Sequence, residues 1–482
     1  MNSFAMKNKW GVFLVILLFT IAYQSLMAIS LSPLGDYEGC DSLIFKQMGL
    51  SMLQDKVLYF DLFDHKGPII YFINAFCQWL IPGRWGLFLV FCFYMAAVTY
   101  VWWLIASLFI KSRSVFWPVV IGLSSYIIVL AEGNLSEEWS LLPISYCLYV
   151  FAKHFVEDSR ISFTSFFLVG VSMGVVTFLR INNMAAPCCA ILVYTVYHLR
   201  QRTTVTLSNL VRSFLMMFLG WAVVISLCCL VIWLLYGCQG LEAMVFGTFI
   251  FNFEYMGSTI ATALDRRRVY IYFGITTLVI LSLLYLKKRY SVLTILIGLC
   301  YIGSFVAIGS KGWGNYFIIF VPLTVMATAS MYDALNKWQK ALIFLMFFII
   351  VPYKVYLAFT SYQEERPFIE ADKVIQDIPL DEQTRIWNSA NFDGVTVLHR
   401  NGLIQTNRVM LGFQMLISET LKQSEKERFS QVDPIWIMAS ESFQKEVPLP
   451  LDSVKVIHDY TLQTVVGNKS GHQLYFYKVN RK

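Results

Sequence analysis

Ionisable side chains are concentrated in one short stretch of a sequence that is otherwise mostly apolar. The stretch runs from Gly35 to Tyr71 and reads GDYEGCDSLIFKQMGLSMLQDKVLYFDLFDHKGPIIY. Carboxylates there can act as general bases toward a hydroxyl or hold a divalent cation, and a lysine can pair with a phosphate. Ionisable groups are costly beside hydrocarbon, so a membrane protein that keeps many in one segment usually uses some of them. The candidate groups are Asp36, Asp41, Asp61, His65 and Lys66.

The acidic residues at the start of this stretch are followed by a helical pattern. In SLIFKQMGLSML, residues 42–53, apolar residues partly follow helical spacing, which predicts an amphipathic helix lying in the membrane interface. Asp41 would then be its N-cap, because an aspartate there accepts the free N–H groups of the first turn. This placement would fix a base, with Asp36 as a second carboxylate. Capping, or a solvated acidic loop, would explain the same residues without any chemistry.

A denser segment, YFDLFDHKGPIIYF, occupies residues 59–72. Its Gly-Pro pair marks a turn before a short apolar stretch, residues 68–82, which we interpret as an interfacial or re-entrant helix. Lys66 lies just before that turn, where it could pair with a lipid headgroup phosphate, with His65 and Asp61 as neighbours. Snorkelling of a lysine near the interface is the alternative interpretation.

Composition indicates a membrane protein. Of the 482 residues, 57% are hydrophobic and only 14% are charged, whereas a soluble domain averages about 25% charged residues. Repeated apolar runs of roughly 18 residues or more predict about eleven transmembrane helices. The net charge of +7 comes from short basic clusters between these runs, which argues against a nucleic-acid partner. The predicted spans are residues 10–30, 85–110, 115–131, 138–156, 162–179, 183–199, 212–236, 269–286, 290–309, 314–332 and 339–360.

The same basic clusters predict the orientation of the chain in the membrane. If the N-terminus lies in the cytoplasm, every inner connection carries Lys or Arg, as the positive-inside rule requires. The first outer connection is then the 31–84 segment, and the region after about residue 361 also lies outside the cytoplasm. We therefore expect a multi-pass protein of a bacterial-type cytoplasmic membrane, with its active site on the periplasmic side.

The sequence changes character from about residue 363 to Lys482. This region is polar and mixed in charge, and a helix is expected near residues 410–428. Together with alternating, strand-like stretches, this predicts a small α/β domain. The chain would then divide into a multispan domain, residues 1–362, and a soluble extracytoplasmic domain, residues 363–482. The predicted strands are TRIWNSA, VTVLH, PIWIMAS, SVKVIHDY and HQLYFYKV.

Three further ionisable residues fall at predicted outer ends of spans. Arg180 lies where the charge rule leaves few basic residues, so an anionic partner, either a phosphate or an acid of the chain, is one interpretation and snorkelling is the other. Glu138 lies in an outer turn, where it can face the active-site loop or serve as a helix-start charge. Lys311 belongs to the turn KGWGNY, which can lie beside a lipid carrier or form an aromatic belt.

The order of these features resembles the first outer loop of the C-type glycosyltransferase superfamily. In that family a first span is followed by an acidic residue that opens a helix, and then by a lysine-proline segment. Asp41 holds the acidic position here, and the KGP segment at Lys66 holds the second. The likeness is strongest to the aminoarabinose transferase and protein O-mannosyltransferase branch. The residue after Asp41 is not acidic and a glycine replaces the first proline, so a second carboxylate would come from elsewhere, such as Asp36.

The resemblance implies a multispan enzyme that moves a sugar from a polyprenyl-phosphate donor to a hydroxyl of a glycan lipid, a lipid or a protein. Asp41 would be the base of an inverting transfer, and Lys66, with Arg180, would stabilise the departing lipid phosphate. The implied partners are the donor, the acceptor and membrane lipids. No cofactor is certain, and a requirement for a divalent cation stays open.

Two other classes of protein fit parts of the sequence. A transporter or flippase of lipid-linked sugars would typically show internal repeats and ionisable groups near the membrane midplane, and neither is visible. A non-catalytic assembly protein would need only a partner-binding C-terminal region, with Asp41 as a helix cap. The sequence contains no P-loop, dinucleotide-binding or HExxH motif.

The basic clusters predict on which side of the membrane each connection lies. A reporter enzyme that is active only outside the cytoplasm should be active when fused after Lys482 and silent when fused at Lys288. The opposite pattern would reverse the orientation and remove the 31–84 segment from the outer face.

Overall fold

The fold is described by a computed structural model that is mostly helical, with a small sheet near the C-terminus. The described residues are 9–35, 39–129, 132–201, 206–257, 267, 269–271, 274, 277, 292–309, 313–364, 369–410, 414, 417–432, 434–440, 460–467 and 473–479.

Apolar helices make up the first three quarters of the chain, and a mixed α/β region follows. The helices are α1 (Lys9–Met27), α2 (Cys40–Leu53), α3 (Pro68–Leu80), α4 (Arg84–Phe109), α5 (Phe116–Ile128), α6 (Ser136–Trp139), α7 (Leu141–Glu157), α8 (Phe163–Arg180), α9 (Ala185–Gln201), α10 (Leu207–Val245), α11 (Phe251–Gly257), α12 (Val292–Ile308), α13 (Val321–Met331), α14 (Lys337–Glu364), α15 (Ile369–Asp377), α16 (Leu380–Gln383), α17 (Asn391–Arg400) and α18 (Glu419–Val432). The strands are β1 (Ile386–Ser389), β2 (Trp436–Ala439), β3 (Tyr460–Gly467) and β4 (Gln473–Val479).

The chain packs as two compact units, and each is assembled from three separate segments. The helical unit combines Met1–Ala28, Leu89–Cys229 and Ile260–Leu357, and the mixed unit combines Ile29–Phe88, Leu230–Thr259 and Ala358–Lys482. The C-terminal region therefore packs in the same unit as the 31–84 segment. The domain boundary at residues 362–363 stays a prediction.

Several helices are suited to crossing a membrane. Within the described residues, five segments are long and apolar enough to do so: Trp10–Met27, Arg84–Phe109, Phe163–Arg200, Leu207–Tyr255 and Gly314–Ala334. Helices also lie over the other predicted spans, apart from 269–286, most of which is outside the described residues. The architecture is thus that of a multi-pass membrane protein. The number of eleven spans stays a prediction.

Close glycine contacts bring two long helices of the helical unit together. A Cβ atom added at Gly170 on α8 would lie 1.9 Å from the carbonyl oxygen of Met217 on α10, and one at Gly220 would lie 2.1 Å from that of Phe167. Such small residues let helix backbones approach, which is how transmembrane helices commonly pack where no hydrophobic effect drives them together.

The C-terminal region contains a four-stranded sheet in the order β1-β2-β4-β3. Strands β1 and β2 run parallel, whereas β4 pairs antiparallel with both of its neighbours. The apolar face of the sheet is covered by α15 and α17, whose buried Ile375 and Leu398 pack against the strand residues Met438 and Phe476. The expectation of a small α/β fold agrees with this architecture.

One predicted strand is wrong and another lies outside the described residues. The stretch VTVLH is part of helix α17, in which Val395, Val397 and Leu398 are fully buried. Its β-branched alternation favours a strand locally, but burial on several sides of a helix overrides that weak preference. The stretch SVKVIHDY falls almost entirely outside the described residues.

The helix predicted after Asp41 forms, but it begins earlier and is not amphipathic. The N-cap of α2 is Gly39, and Asp41 lies in the first turn, where its charge favours the helix dipole. Nearly every side of α2 is covered, including the polar Lys46 and Gln47. The polar positions are buried because α3 and α17 both pack on this helix. The second predicted helix forms as α3, which begins at Pro68.

The contact between α2 and α3 depends on a glycine. A Cβ atom at Gly49 would lie 2.7 Å from the backbone nitrogen of Ala75, so Gly49→Ala should force the helices apart and destabilise the protein by about 1–3 kcal/mol. The matched control is Gly298→Ala on α12, where a Cβ atom meets nothing within 4 Å and helix propensity should give a gain of up to about 1 kcal/mol. Thermal unfolding in detergent measures both, and an equal effect of the two substitutions would contradict this packing.

Candidate active site

Two buried tyrosines fix the backbone of the loop between α2 and α3, where Lys66 lies. The hydroxyl of Tyr59 donates a hydrogen bond to the carbonyl oxygen of Lys66 at 2.7 Å, and the hydroxyl of Tyr71 accepts one from the Lys66 N–H at 3.1 Å. The two rings pack edge to face with centroids 5.6 Å apart. Because both the N–H and the C=O of Lys66 are held, the backbone position of Lys66 is fixed.

The side chains of Asp64, His65 and Lys66 form a connected chain. The carboxylate Oδ1 of Asp64 lies 3.1 Å from His65 Nδ1, and Lys66 Nζ lies 3.0 Å from His65 Nε2. The second carboxylate oxygen of Asp64 accepts the hydroxyl hydrogen of Tyr71 at 2.8 Å. Asp64, His65 and Lys66 are each at most 9% exposed. A carboxylate beside Nδ1 favours the proton on that nitrogen, so Nε2 is left as an acceptor for the ammonium.

The electrostatics of the Asp64–His65–Lys66 chain indicate that His65 is neutral. Burial alone would raise the pKa of Asp64, but His65 and Lys66 beside it hold that pKa below its ordinary value. Burial and the Lys66 ammonium lower the pKa of His65 below the usual 6.5 or so, and they outweigh the carboxylates of Asp64 and Asp41, which raise it. At neutral pH, Asp64 is therefore a carboxylate and His65 a neutral imidazole.

Asp41, the predicted base, lies in the first turn of α2 and is half-buried. It is near enough for its charge to influence the pKa of His65. The mixed unit thus brings Asp41 into the electrostatic surroundings of the Asp64–His65–Lys66 chain. Lys46, the lysine of α2, donates to the carbonyl oxygen of Ser30 at 2.7 Å and supports the entry to the helix.

Asp61, predicted to contact substrate, has partners inside the protein. One carboxylate oxygen accepts the N–H of Val57 at 2.9 Å, and the other lies 3.3 Å from the guanidinium of Arg428 on α18. These contacts close the turn that precedes Lys66 and tie it to the C-terminal region.

Sequence reasoning missed the residues that contact His65 from other parts of the mixed unit. Asn252 donates from Nδ2 to the carbonyl oxygen of His65 at 2.8 Å, and the rings of Phe251 and Tyr255 lie 5.5 and 5.2 Å from the imidazole. These residues follow a π-helical turn over 246–250, and such turns are frequent at functional sites. An asparagine inside an apolar run was the one signal in the sequence.

A glutamine of the C-terminal region also contacts the chain of charges. Gln414 is fully buried, and its Nε2 lies 3.5 Å from Asp64 Oδ1. Nothing in the sequence around Gln414 marks it, because its partner lies far away along the chain.

The predicted site residues Arg180 and Glu138 belong to the helical unit. Arg180 donates a hydrogen bond to the buried carboxylate of Glu137 and lies 3.8 Å over the ring of Tyr316. Glu138 accepts a hydrogen bond from the Tyr126 hydroxyl and, at 2.7 Å, from the N–H of Leu135. Arg180 therefore has an anionic partner within the chain, and the contacts of Glu138 hold the start of the turn.

Two predicted residues, Asp36 and Lys311, lie outside the described residues. Their proposed roles stay predictions. Among the residues that are described, no group of three His, Cys, Asp or Glu side chains converges in a way that could hold a metal ion.

The sequence matches no family model and no curated protein. The fold, by contrast, is similar to that of solved membrane proteins. ArnT from Cupriavidus metallidurans, solved bound to undecaprenyl phosphate, is 12% identical, with a TM-score of 0.61 over 98% of each chain. The oligosaccharyltransferase AglB from Archaeoglobus fulgidus, in complex with an inhibitory peptide and a dolichol-phosphate, is 11% identical, with a TM-score of 0.53 over 90% of this chain and 70% of that one. The apo form of the A. fulgidus oligosaccharyltransferase is 12% identical, with a TM-score of 0.51 over 91% of this chain and 70% of that one.

These identities are low, so the similarity concerns the fold. It extends over nearly the whole of this chain and of ArnT, from the first helix to the C-terminal region. The resemblance that the 31–84 segment predicts is confirmed at the level of the fold, which is similar to the folds of ArnT and AglB.

Proposed function

We propose that the protein is an integral membrane glycosyltransferase that moves a sugar from a polyprenyl-phosphate donor to a hydroxyl of a glycan lipid, a lipid or a protein. The observation that carries this proposal is the buried ammonium of Lys66, held by the Asp64–His65 pair just before α3 begins. A phosphate is a ligand that such an ammonium fits. Two neighbours in fold were solved with a polyprenyl-type lipid phosphate bound, which supports the same class of donor.

Lys66 would act on the leaving group. Its ammonium has three N–H donors, and one of them is directed at His65 Nε2. The other two can donate to the oxygens of the lipid phosphate as negative charge develops there. Removing one donor that stabilises a developing charge typically costs about 2.7–4 kcal/mol in the transition state.

Asp41 would act on the nucleophile. Its carboxylate takes the proton of the acceptor hydroxyl while that oxygen forms a bond to the anomeric carbon. The bond from the anomeric carbon to the phosphate oxygen breaks, and the lipid phosphate leaves with its electron pair. Because attack and departure occur on opposite faces of the sugar, the transfer inverts the anomeric configuration.

The remaining predicted residues have supporting roles in this proposal. Arg180 would assist with the departing phosphate, Asp36 would assist the base, and Lys311 and Glu138 would line the donor site. Asp61, with its partners Val57 and Arg428, would act by shaping the loop before Lys66. The reaction would take place at the periplasmic face of a bacterial-type cytoplasmic membrane, where the lipid carrier presents the sugar.

The proposed role of Asp41 as the base predicts how Asp41→Asn changes the rate of transfer. Asp41→Asn keeps the size of the side chain but removes the proton acceptor, and loss of a positioned base typically costs about 10²–10⁴ in rate. The purified variant should fold and bind undecaprenyl phosphate, yet transfer radiolabelled sugar at least about a hundredfold more slowly.

Asp36→Asn is the matched control for that experiment. It should reduce transfer less, because Asp36 only assists. If Asp41→Asn keeps more than about a tenth of the activity while Asp36→Asn abolishes it, the base has been assigned to the wrong carboxylate.

The histidine between the two ions predicts a pH dependence. A proton on His65 Nε2 would remove the acceptor for Lys66 and place a second positive charge 3.0 Å away. The pKa of His65 lies below its ordinary value, so His65 is neutral at pH 7, and kcat/KM should fall as the pH drops through that lowered pKa. In His65→Gln the amide oxygen still accepts but does not titrate, so the fall should move to lower pH. Identical acid limbs in both proteins would show that His65 does not set this dependence.

A further inference from the structure

We infer that the C-terminal region is a working part of the proposed site, in which Arg408 is a positioning residue that fixes the loop carrying Lys66. This inference deepens the proposed function, since the role of Lys66 rests on it. All contacts that carry it lie within the mixed unit.

The guanidinium of Arg408 is bound to a single backbone atom of the loop. Its Nε and Nη2 both donate to the carbonyl oxygen of Tyr59, at 3.1 and 2.9 Å. Nη1 donates to the hydroxyl of Ser424 on α18 at 2.9 Å. The guanidinium carbon also lies 5.8 and 5.5 Å from the ring centroids of Phe60 and Phe63. Arg408 is thus inserted into the loop, 9% exposed, with its donors aimed at Tyr59.

Tyr59 transmits this contact to Lys66. The backbone φ of Tyr59 is +65°, a left-handed conformation that a tyrosine seldom adopts. The surrounding structure has to impose such a conformation, and the two hydrogen bonds from Arg408 hold its carbonyl oxygen in place. At the other end of the residue, the Tyr59 hydroxyl donates to the carbonyl oxygen of Lys66. One residue therefore connects the guanidinium to the backbone of the proposed phosphate contact.

The backbone around Arg408 is itself paired with the loop. The N–H of Phe63 donates to the carbonyl oxygen of Arg408 at 2.8 Å, and Phe63 and Val409 form a parallel bridge. The carboxylate of Glu425 on α18 accepts the N–H groups of Arg408 and Val409, at 2.8 and 3.0 Å. The backbone of Arg408 and Val409 therefore pairs with the loop, and Glu425 of α18 holds these two residues in place.

A second contact joins the C-terminal region to the helix that carries Asp41. The side chain of Gln47 on α2 donates to the carbonyl oxygen of Leu403 at 2.8 Å, and its oxygen lies 3.0 Å from His399 Nδ1 on α17. The proposed base and the proposed phosphate contact are thus both supported from the same region.

The choice of arginine argues for positioning and not only for filling space. Burial lowers the pKa of Arg408 to about 10, which reflects the cost of keeping its charge there. An apolar side chain of similar volume would pack against Phe60 and Phe63 without that cost. What it could not supply is the rigid fork of donors that holds one carbonyl oxygen.

Hydrogen exchange on the full-length protein in nanodiscs tests the structural half of the inference. Arg408→Met keeps volume and removes the donors, so amide exchange over residues 57–66 should become faster. The matched control is Lys478→Met, which removes a cation that pairs with Glu382 in the same region, at 3.1 Å, and should leave exchange in that loop unchanged. Unchanged exchange in Arg408→Met, or equal acceleration in the control, would overturn the inference.

A double-mutant cycle tests the functional half, with undecaprenyl phosphate as the probe. Lys66→Ala and Arg408→Met should each weaken binding, by about tenfold for Arg408→Met, and the double variant should bind about as well as Lys66→Ala alone. Losses that multiply would show that Arg408 does not act through Lys66, which overturns the inference. If the wild-type protein fails to bind the lipid phosphate, the proposed function fails, and the exchange measurement still decides whether Arg408 positions the loop.

Discussion

The structure depends on one constraint at Lys66: a basic side chain is almost completely buried and needs polar partners inside the protein. A buried cation without partners loses several kcal/mol of hydration and tends to give up its proton. The Asp64–His65 pair meets this constraint indirectly, because a neutral imidazole contacts the ammonium and a carboxylate stands behind the imidazole. A carboxylate placed directly against Lys66 would compete with a phosphate for the same donors. The intervening histidine leaves the positive charge available to an anionic ligand.

The surrounding elements can be understood as support for this chain of charges. The loop between α2 and α3 is too short to form a core of its own, so its conformation has to be imposed by neighbours. Tyr59 and Tyr71 hold the peptide of Lys66, Asn252 holds the carbonyl oxygen of His65, and Arg408 holds that of Tyr59. These supports come from three segments of the chain, which explains why the same three segments pack as one compact unit.

The parts of this arrangement that are local in sequence could be predicted, and the parts that depend on distant contacts could not. The DHKGP segment and helix α3 were visible because a Gly-Pro turn, a run of charges and an apolar stretch stand next to each other. The N-cap of α2 was misplaced at Asp41, since Gly39 carries no side-chain signal for a cap. The burial of VTVLH in a helix, and the roles of Asn252, Gln414 and Arg408, come from packing between segments far apart, for which a single sequence holds no pattern.

The central claim is that Lys66 binds the phosphate of a polyprenyl carrier, and a structure determined by electron cryomicroscopy with undecaprenyl phosphate tests it most directly. The account predicts a phosphate oxygen at about 2.7–2.9 Å from Lys66 Nζ, with the contact to His65 Nε2 retained. A lipid phosphate bound elsewhere, with no oxygen within hydrogen-bond reach of Lys66, would contradict it.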